Sequence, residues 1–256
     1  METCYPQSFV NLLKEFSSDD IDNYIGQGNP NSDILIVGRE HGFSDEAQCD
    51  LEIRRNREQW LRIVDGNEIS EFEYSPRTCF SYIGQEFRIG PKSLGTSPTW
   101  FAYQKMVNAL CPHDMKAGKK APLLDFFNYS FITEFSTASR PNNNKNTVQE
   151  IEATRKSIMK RIPLLSSAFF RSFPIVILAC GRYFDDYNID IEKMFDVKWE
   201  RPTQPVKLTN GKQVWLNLHY SEDGQRLVIH TWQASALARG NEKTYQPFFD
   251  YLSGLK

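Results

Sequence analysis

The sequence predicts a protein of the α/β class, in which a central four-stranded parallel sheet and a β-hairpin insertion form a three-layer α/β/α sandwich. Four short apolar runs lack the polar alternation of a half-exposed strand, which is typical of strands covered on both faces. Helical patterns separate these runs, as in successive β-α-β units. The predicted strands are residues 33–38, 129–135, 174–180 and 226–232.

The predicted helices follow from apolar periodicity and from start signals. They cover residues 46–66, 97–111, 147–173 and 241–255. Ser97 is a suitable N-cap, and Pro98 suits the first helical position. Thr147 and Glu150 have the spacing of a capping box. Pro163 is expected to kink or divide the helix that begins there.

One segment, residues 197–219, breaks the alternation of strands and helices. It contains Asn210 and Gly211 between two strand-like runs. This dipeptide favours a two-residue type I′ turn, so the segment is predicted to be an antiparallel hairpin inserted before the last strand. Because no repeat or interdomain linker is evident, we expect residues 1–256 to form a single domain.

The composition limits the classes of function. The chain has 256 residues and a formal net charge of −2, with a pI of about 6.1. The chain therefore lacks the overall positive charge that would indicate a nucleic-acid-binding protein. The five cysteines form no C-x-x-C pair, so neither a zinc ribbon nor a disulfide framework is expected. Because neither a signal peptide nor a long apolar stretch is evident, the protein is predicted to be cytoplasmic and not to associate with membranes. It is also expected to be a monomer.

Polar side chains are concentrated where the predicted strands end. In an open parallel sheet, ligands bind beyond the carboxyl ends of the strands. The first strand runs into the sequence GREHG, the second ends in TEF, and the fourth runs into QAS. The candidate site residues at these ends are Gly38, Arg39, Glu40, His41, Gly42, Glu134, Gln233 and Ser235.

Four stretches around these strands carry a family resemblance. In chain order they read NPNSDILIVGREHG, NYSFITEFSTASRPNNNKN, FPIVILACGRYF and LVIHTWQASAL. As an ordered set, they resemble the motifs of the uracil-DNA glycosylase superfamily, whose fold is a four-stranded parallel sheet between helices. The second stretch is similar to that of the iron–sulfur branch, but the cysteines of that branch are absent around Ala138. The resemblance therefore implies neither a cluster nor any other cofactor or metal.

The resemblance also implies roles for individual residues. Glu40 matches the position of a group that activates water or stabilises the sugar cation, and is the predicted catalytic residue. The other residues of the GREHG turn are predicted to bind substrate, together with Ser235. Glu134 matches an asparagine that pairs with the edge of uracil, and Gln233 matches the histidine of the last motif. The implied function is that of a DNA glycosylase, which binds a flipped base from DNA and hydrolyses its N-glycosidic bond.

The departures from the family motifs affect the predicted specificity. An ionised Glu134 offers only acceptors, whereas asparagine offers a donor and an acceptor. A base edge that carries donors would suit such a carboxylate better than uracil, so a non-uracil substrate is predicted. Gln233 is a neutral donor and should stabilise a departing base anion less than a charged donor would.

Other interpretations stay open from the sequence alone. The chain could be a catalytically inactive relative that binds a base, a nucleotide or nucleic acid, or another small-molecule enzyme on the same scaffold. Glu40 could cap the following helix or pair with an arginine of residues 54–57, and Glu134 could pair with Arg140. Gln233 and Ser235 could serve as a helix N-cap.

A few further residues carry expectations that the structure can check. Leu237 is a candidate wedge for the base stack, and Tyr82, Phe87 or Phe135 could stack on a base. His230 lies within an apolar strand and is expected to be a hydrogen-bonded core residue. His113 and His219 belong to no motif and are expected to lie at the surface.

Overall fold

A computed structural model describes most of the chain, namely residues 5–16, 20–40, 42–43, 46–66, 79, 84–89, 95–138, 140–141, 147–238 and 242–255. Its strands are β1 (Gln27–Gly28), β2 (Ile34–Gly38), β3 (Gly42–Phe43), β4 (Ser130–Glu134), β5 (Arg140–Pro141), β6 (Ile175–Leu178), β7 (Lys198–Lys207), β8 (Gln213–Tyr220) and β9 (Leu227–Thr231). Its helices are α1 (Gln7–Glu15), α2 (Glu46–Val64), α3 (Pro98–Leu110), α4 (Phe126–Tyr129), α5 (Val148–Leu165), α6 (Ala168–Arg171), α7 (Tyr183–Asp186), α8 (Ile191–Phe195) and α9 (Glu242–Ser253), with 3₁₀ turns at Ile21–Asn23 and Ala234–Ala238.

Within the described residues, the main sheet is mixed and has seven strands in the order β1-β4-β2-β6-β9-β8-β7. Neighbours among β4, β2, β6 and β9 are parallel, whereas β1, β8 and β7 run antiparallel to the strands beside them. A separate parallel pair joins β3 to β5. The predicted α/β class is therefore confirmed, with a sheet that is wider than the four strands expected from the sequence.

Both faces of the sheet are covered by a hydrophobic core. Ile34 and Ile36 of β2 belong to the core that includes residues of α3 and α9. Leu35 and Val37, which point the other way, belong to the core that includes residues of α1, α2, α5 and α6. Burial on both faces explains why the strand is apolar at successive positions rather than at alternate ones. Each such buried aliphatic side chain contributes about 1.5–3 kcal/mol.

The start of α5 has the capping box that the sequence predicts. Thr147 Oγ1 accepts a hydrogen bond of 3.2 Å from the Glu150 N–H, and Glu150 Oε2 accepts one of 2.7 Å from the Thr147 N–H. The single helix predicted over residues 147–173 is divided into α5 and α6, but the division falls after Leu165 rather than at Pro163, through which α5 continues. Helix α3 begins at Pro98 with Ser97 as N-cap, although the Ser97 side chain makes no capping hydrogen bond within the described residues.

Strands β7 and β8 form an antiparallel pair, and their connection is longer than a two-residue turn. Lys207 pairs with Gln213, which leaves residues 208–212 as the loop. Gly211 lies in this loop with a φ of 81°, a conformation that favours glycine. The pairing of β7 is irregular between Glu200 and Gln204. Such an irregularity in an edge strand hinders pairing with other chains.

The histidines differ from expectation at two of three positions. His230 is buried, and its Nε2 lies 2.7 Å from the Gly181 carbonyl oxygen, so the predicted core role is confirmed. His219 is also buried rather than at the surface, and burial lowers the pKa of its ring to about 4. His113 is nearly buried, and its Nε2 lies 3.0 Å from Asp125 Oδ1. Both surface predictions are therefore wrong.

The cysteines described by the structure, Cys79, Cys111 and Cys180, are free thiols. None of the helices in the described part of the chain combines the length and the apolar character that crossing a bilayer requires.

Candidate functional site

The candidate site lies at the carboxyl edge of the parallel strands. Strand β2 ends at Gly38, which pairs in register with Glu134 at the end of β4. The next two parallel strands, β6 and β9, lead into Gly181 and Gln233. Because these strands run in the same direction, their ends meet at one edge, and the loops that follow lie side by side.

Arg39 links two of these loops. Its Nη1 donates a hydrogen bond of 2.7 Å to Gln233 Oε1. Its Nε lies 3.9 Å from Glu40 Oε2, and its Cζ lies 4.0 Å from the centre of the Tyr183 ring, which is within the range of a cation–π contact. The guanidinium therefore joins the loop after β2 to the loop after β9.

Glu40 is oriented by a residue that sequence reasoning missed. Tyr183 Oη donates a short hydrogen bond of 2.5 Å to Glu40 Oε2. Tyr183 is buried at the start of α7 and lies within the CGRYF sequence at the end of the third predicted strand. Both partners of this tyrosine are shielded, since the side chains of Arg39 and Glu40 are 26% and 14% exposed. The rule that directs attention to strand ends could have identified it.

Both polar ends of the Gln233 amide have partners within the protein. The Oε1 atom accepts the bond from Arg39, and Nε2 donates a bond of 2.8 Å to Ser235 Oγ. The 3₁₀ turn Ala234–Ala238 follows directly. Its Leu237 is fully buried in the core. The prediction that Leu237 is a wedge is therefore wrong, because a side chain that inserts into a base stack must project from the protein surface.

Glu134 carries a buried carboxyl oxygen beside the end of β2. Its Oε2 has no hydrogen-bond partner among the described residues. The carboxyl group packs against Gly38, where an added Cβ would lie only 2.2 Å from Glu134 Oε2 and 2.7 Å from Tyr103 Oη. A side chain at position 38 would therefore displace the carboxyl group.

The environment of Glu134 changes its protonation. Burial raises the pKa of its carboxyl group, the negative charge of Glu40 adds to the rise, and Arg161 opposes it, with a resulting pKa of about 8. The sequence predicts an acceptor-only carboxylate at this position; the raised pKa indicates instead that the protonated acid predominates at neutral pH. A carboxylic acid offers one donor and one acceptor, as an amide does.

Cys180 lies at the same edge but is unsuited to nucleophilic chemistry. Its thiol is fully buried and contacts the carbonyl oxygens of Val37 at 3.3 Å and Gly38 at 3.2 Å. Burial raises the pKa of this thiol well above its usual value, and the nearby Glu134 adds to the rise. The thiol therefore stays protonated, whereas a nucleophilic cysteine needs a thiolate.

The structure brings most of the predicted site residues together. Arg39, Glu40, Gln233 and Ser235 form one connected set, while Gly38 contacts Glu134. The backbone of Gly42 lies in the β3–β5 pair, beside Arg140. His41, Tyr82 and the side chain of Arg140 lie outside the described part of the chain.

Two predicted stacking residues are occupied elsewhere. The ring of Phe135 is fully buried and stacks on Phe184 with centroids 4.5 Å apart. The ring of Phe87 stacks on Phe101 with centroids 4.7 Å apart. Each of these rings is thus packed against another ring of the protein, and Arg39 covers the ring of Tyr183.

The donor set at this edge consists of carboxyl, amide, hydroxyl and guanidinium groups. Within the described ranges, no group of three or more His, Cys, Asp or Glu side chains is arranged to hold a metal ion. No protein-family model matches this chain, and no curated protein matches it either. The function therefore has to follow from the chemistry of the residues themselves.

Proposed function

We propose that the carboxyl edge of the sheet binds a nucleobase and that the protein hydrolyses the N-glycosidic bond of a base flipped from DNA. The observation that carries this proposal is the convergence of Glu40, Arg39 and Gln233 at one edge, beside the buried Glu134 Oε2, which has no hydrogen-bond partner among the described residues. The parallel arrangement of β4, β2, β6 and β9 and the order of the four motifs support a uracil-DNA glycosylase-like relationship.

In this proposal Glu40 assists the attack of water. Cleavage of the bond creates positive charge on the sugar, which a nearby carboxylate stabilises while it orients the water. The bond from Tyr183 holds Glu40 in one orientation. Arg39 supplies positive charge beside Gln233, where the departing base carries negative charge, and so compensates for the neutral donor at that position.

Glu134 is the proposed reader of the base edge. Below a pH of about 8 its protonated carboxyl group can pair with an edge that has one donor and one acceptor, as uracil has. Above that pH the carboxylate favours an edge with adjacent donors, such as that of oxidised guanine. The preference for non-uracil bases predicted from the sequence thus belongs to the ionised form.

This proposal is tested by base release from matched duplexes that carry uracil or oxidised guanine, at pH 6.5 and pH 8.5. For a group with a pKa near 8, the protonated form falls about fourfold over this interval and the ratio of protonated to ionised form falls about 100-fold. Uracil release should therefore fall about fourfold, and uracil release relative to that of oxidised guanine by up to about 100-fold. Glu134→Gln should remove the pH dependence, since glutamine does not titrate. A ratio that stays constant in the wild type contradicts the proposed reader.

The second candidate is a base- or nucleotide-binding protein without hydrolytic activity. The observation that favours it is that both polar ends of Gln233 are engaged by Arg39 and Ser235. A base can reach Gln233 Oε1 only if Arg39 moves, whereas Gln233 Nε2 keeps a second N–H beside the one that Ser235 accepts. The test is binding and base release with duplexes that carry uracil or oxidised guanine. Binding without release of either base, in the wild type and in Arg39→Ala alike, supports this second candidate.

A further inference from the structure

Arg161 is a buried arginine directly behind the end of β4. It lies on α5 with none of its surface exposed. Its Nε donates a hydrogen bond of 3.0 Å to the main-chain oxygen of Glu134, and its Nη2 donates one of 3.1 Å to Thr133 Oγ1. Its Nη1 donates to the main-chain oxygens of Asp22 at 2.6 Å and Tyr24 at 2.8 Å. The guanidinium thus ties the last two residues of β4 to α5 and to the 3₁₀ turn.

All of these acceptors are neutral oxygens. In the described structure, no hydrogen bond of Arg161 goes to a carboxylate. The Asp22 carboxylate is engaged elsewhere, because its Oδ1 accepts bonds from Thr137 and Ser157 and its Oδ2 lies 3.3 Å from Lys160 Nζ. Burial lowers the pKa of Arg161, whereas Tyr24, Asp22 and, with the smallest effect, Glu134 raise it.

At the candidate site, Arg161 affects the pKa of the Glu134 carboxyl group. Four groups act on it or are affected by it, from different elements: Glu40 after β2, Tyr103 on α3, Cys180 after β6, and Arg161 on α5. Glu40 disfavours the ionised form of Glu134, and the phenol and the thiol are kept neutral by burial. Among these four, Arg161 is the group that favours ionisation of Glu134.

We propose that Arg161 is a positioning residue of the candidate site, which holds the end of β4 through the Glu134 carbonyl and the Thr133 hydroxyl and stabilises the ionised form of the Glu134 carboxyl group. This role matters for ligand choice only through the proposed function, on which it rests. Burial lowers the pKa of Arg161 to about 10, so the guanidinium still carries its charge at neutral pH.

The test is a ¹³C NMR titration of the ligand-free protein labelled at the glutamate carboxyl carbons, with the Glu134 signal assigned by its loss in Glu134→Gln. An opposite charge at close range typically changes a carboxyl pKa by one unit or more. We therefore expect Arg161→Gln to raise the Glu134 midpoint by about one pH unit. Arg161→Lys keeps a charge but cannot reproduce the forked bonds, so its midpoint should lie between the two.

Lys160→Gln is the matched control, since Lys160 is the neighbouring cation on the same helix and contacts Asp20 and Asp22 instead. It should leave the Glu134 midpoint unchanged. A folded Arg161→Gln with an unchanged midpoint overturns the proposal; should that variant fail to fold, an unchanged midpoint in Arg161→Met, which removes the charge but keeps an unbranched side chain, does so. The titration is carried out without a ligand and so does not depend on the proposed function. If the Glu134 midpoint shifts as expected but the protein releases no base, only the proposed function is contradicted.

Discussion

Gly38 is the residue on which the placement of Glu134 depends. The two residues pair in register at the ends of β2 and β4, and the Glu134 carboxyl group occupies the space that a Cβ at position 38 would take. The backbone conformation of Gly38, which lies in β2, does not itself require a glycine. The requirement comes from the close approach of a side chain, which is one of the reasons for glycine within a strand.

Gly38→Ala should therefore displace the Glu134 carboxyl group and lower the free energy of unfolding by about 1–3 kcal/mol, the usual cost of overpacking. Urea denaturation measures this change. Gly254→Ala is the control, because an added Cβ there meets its nearest atom at an ordinary 3.5 Å. Equal stability of the two variants would contradict the close packing at Gly38.

The raised pKa of Glu134 also predicts a pH dependence of stability. The folded-state value is about 8, against 4.5 for the free group. The native state thus holds a proton that the unfolded chain releases, so stability falls as the pH rises from about 4.5 to 8, by at most about 1.4 kcal/mol per pH unit. Above that range the penalty is complete.

Glu134→Gln should flatten this decline, as measured by denaturation at pH 5, 6.5 and 8. Glu222→Gln, at an exposed turn position, should leave the decline as it is in the wild type. The account is contradicted if the two variants lose stability equally between pH 5 and 8.

At the residue scale, the sequence predicts part of the candidate site. Glu40 and Gln233 follow predicted strands and are found by that position alone. Tyr183 and Arg161 are missed, because a tyrosine in a short helix and an arginine in a charged helical pattern look like ordinary core and surface residues. Their roles depend on contacts between elements that are far apart in sequence.

At the scale of elements, local signals predict positions well. All four apolar runs are strands, and the start of α5 has the predicted capping box. Local signals fail where packing decides. Helix α5 continues past Pro163 while its C-terminal residues Leu164 and Leu165 are buried. The additional strands β1, β3 and β5 are two-residue pairings with no pattern of their own.

Thr147→Ala should lower the free energy of unfolding by about 1 kcal/mol, since it removes the cap of α5. Ser97→Ala is a matched control, because Ser97 is the N-cap of α3 but its side chain makes no capping hydrogen bond in the described structure. Chemical denaturation of both variants measures the difference. A cost for Ser97→Ala as large as that for Thr147→Ala would contradict the capping box.

At the scale of the whole molecule, the sheet brings together residues that are almost 200 positions apart. Arg39 and Gln233 meet because β2 and β9 both neighbour β6 and run in the same direction. The α/β class and the edge at which the site residues lie were both predictable from the sequence. The contacts among these residues were not, because side-chain directions depend on the packing of the complete sheet.

The central claim is that Glu40 serves a base-releasing site at this edge. The measurement that tests it most directly is base release from duplexes carrying uracil, hypoxanthine, xanthine or oxidised bases, with the wild type, Glu40→Gln and the control Glu222→Gln. We predict release of at least one base by the wild type and the control, and a loss of about 10²-fold or more in Glu40→Gln. Release from none of the duplexes, or equal release by Glu40→Gln, would contradict the claim.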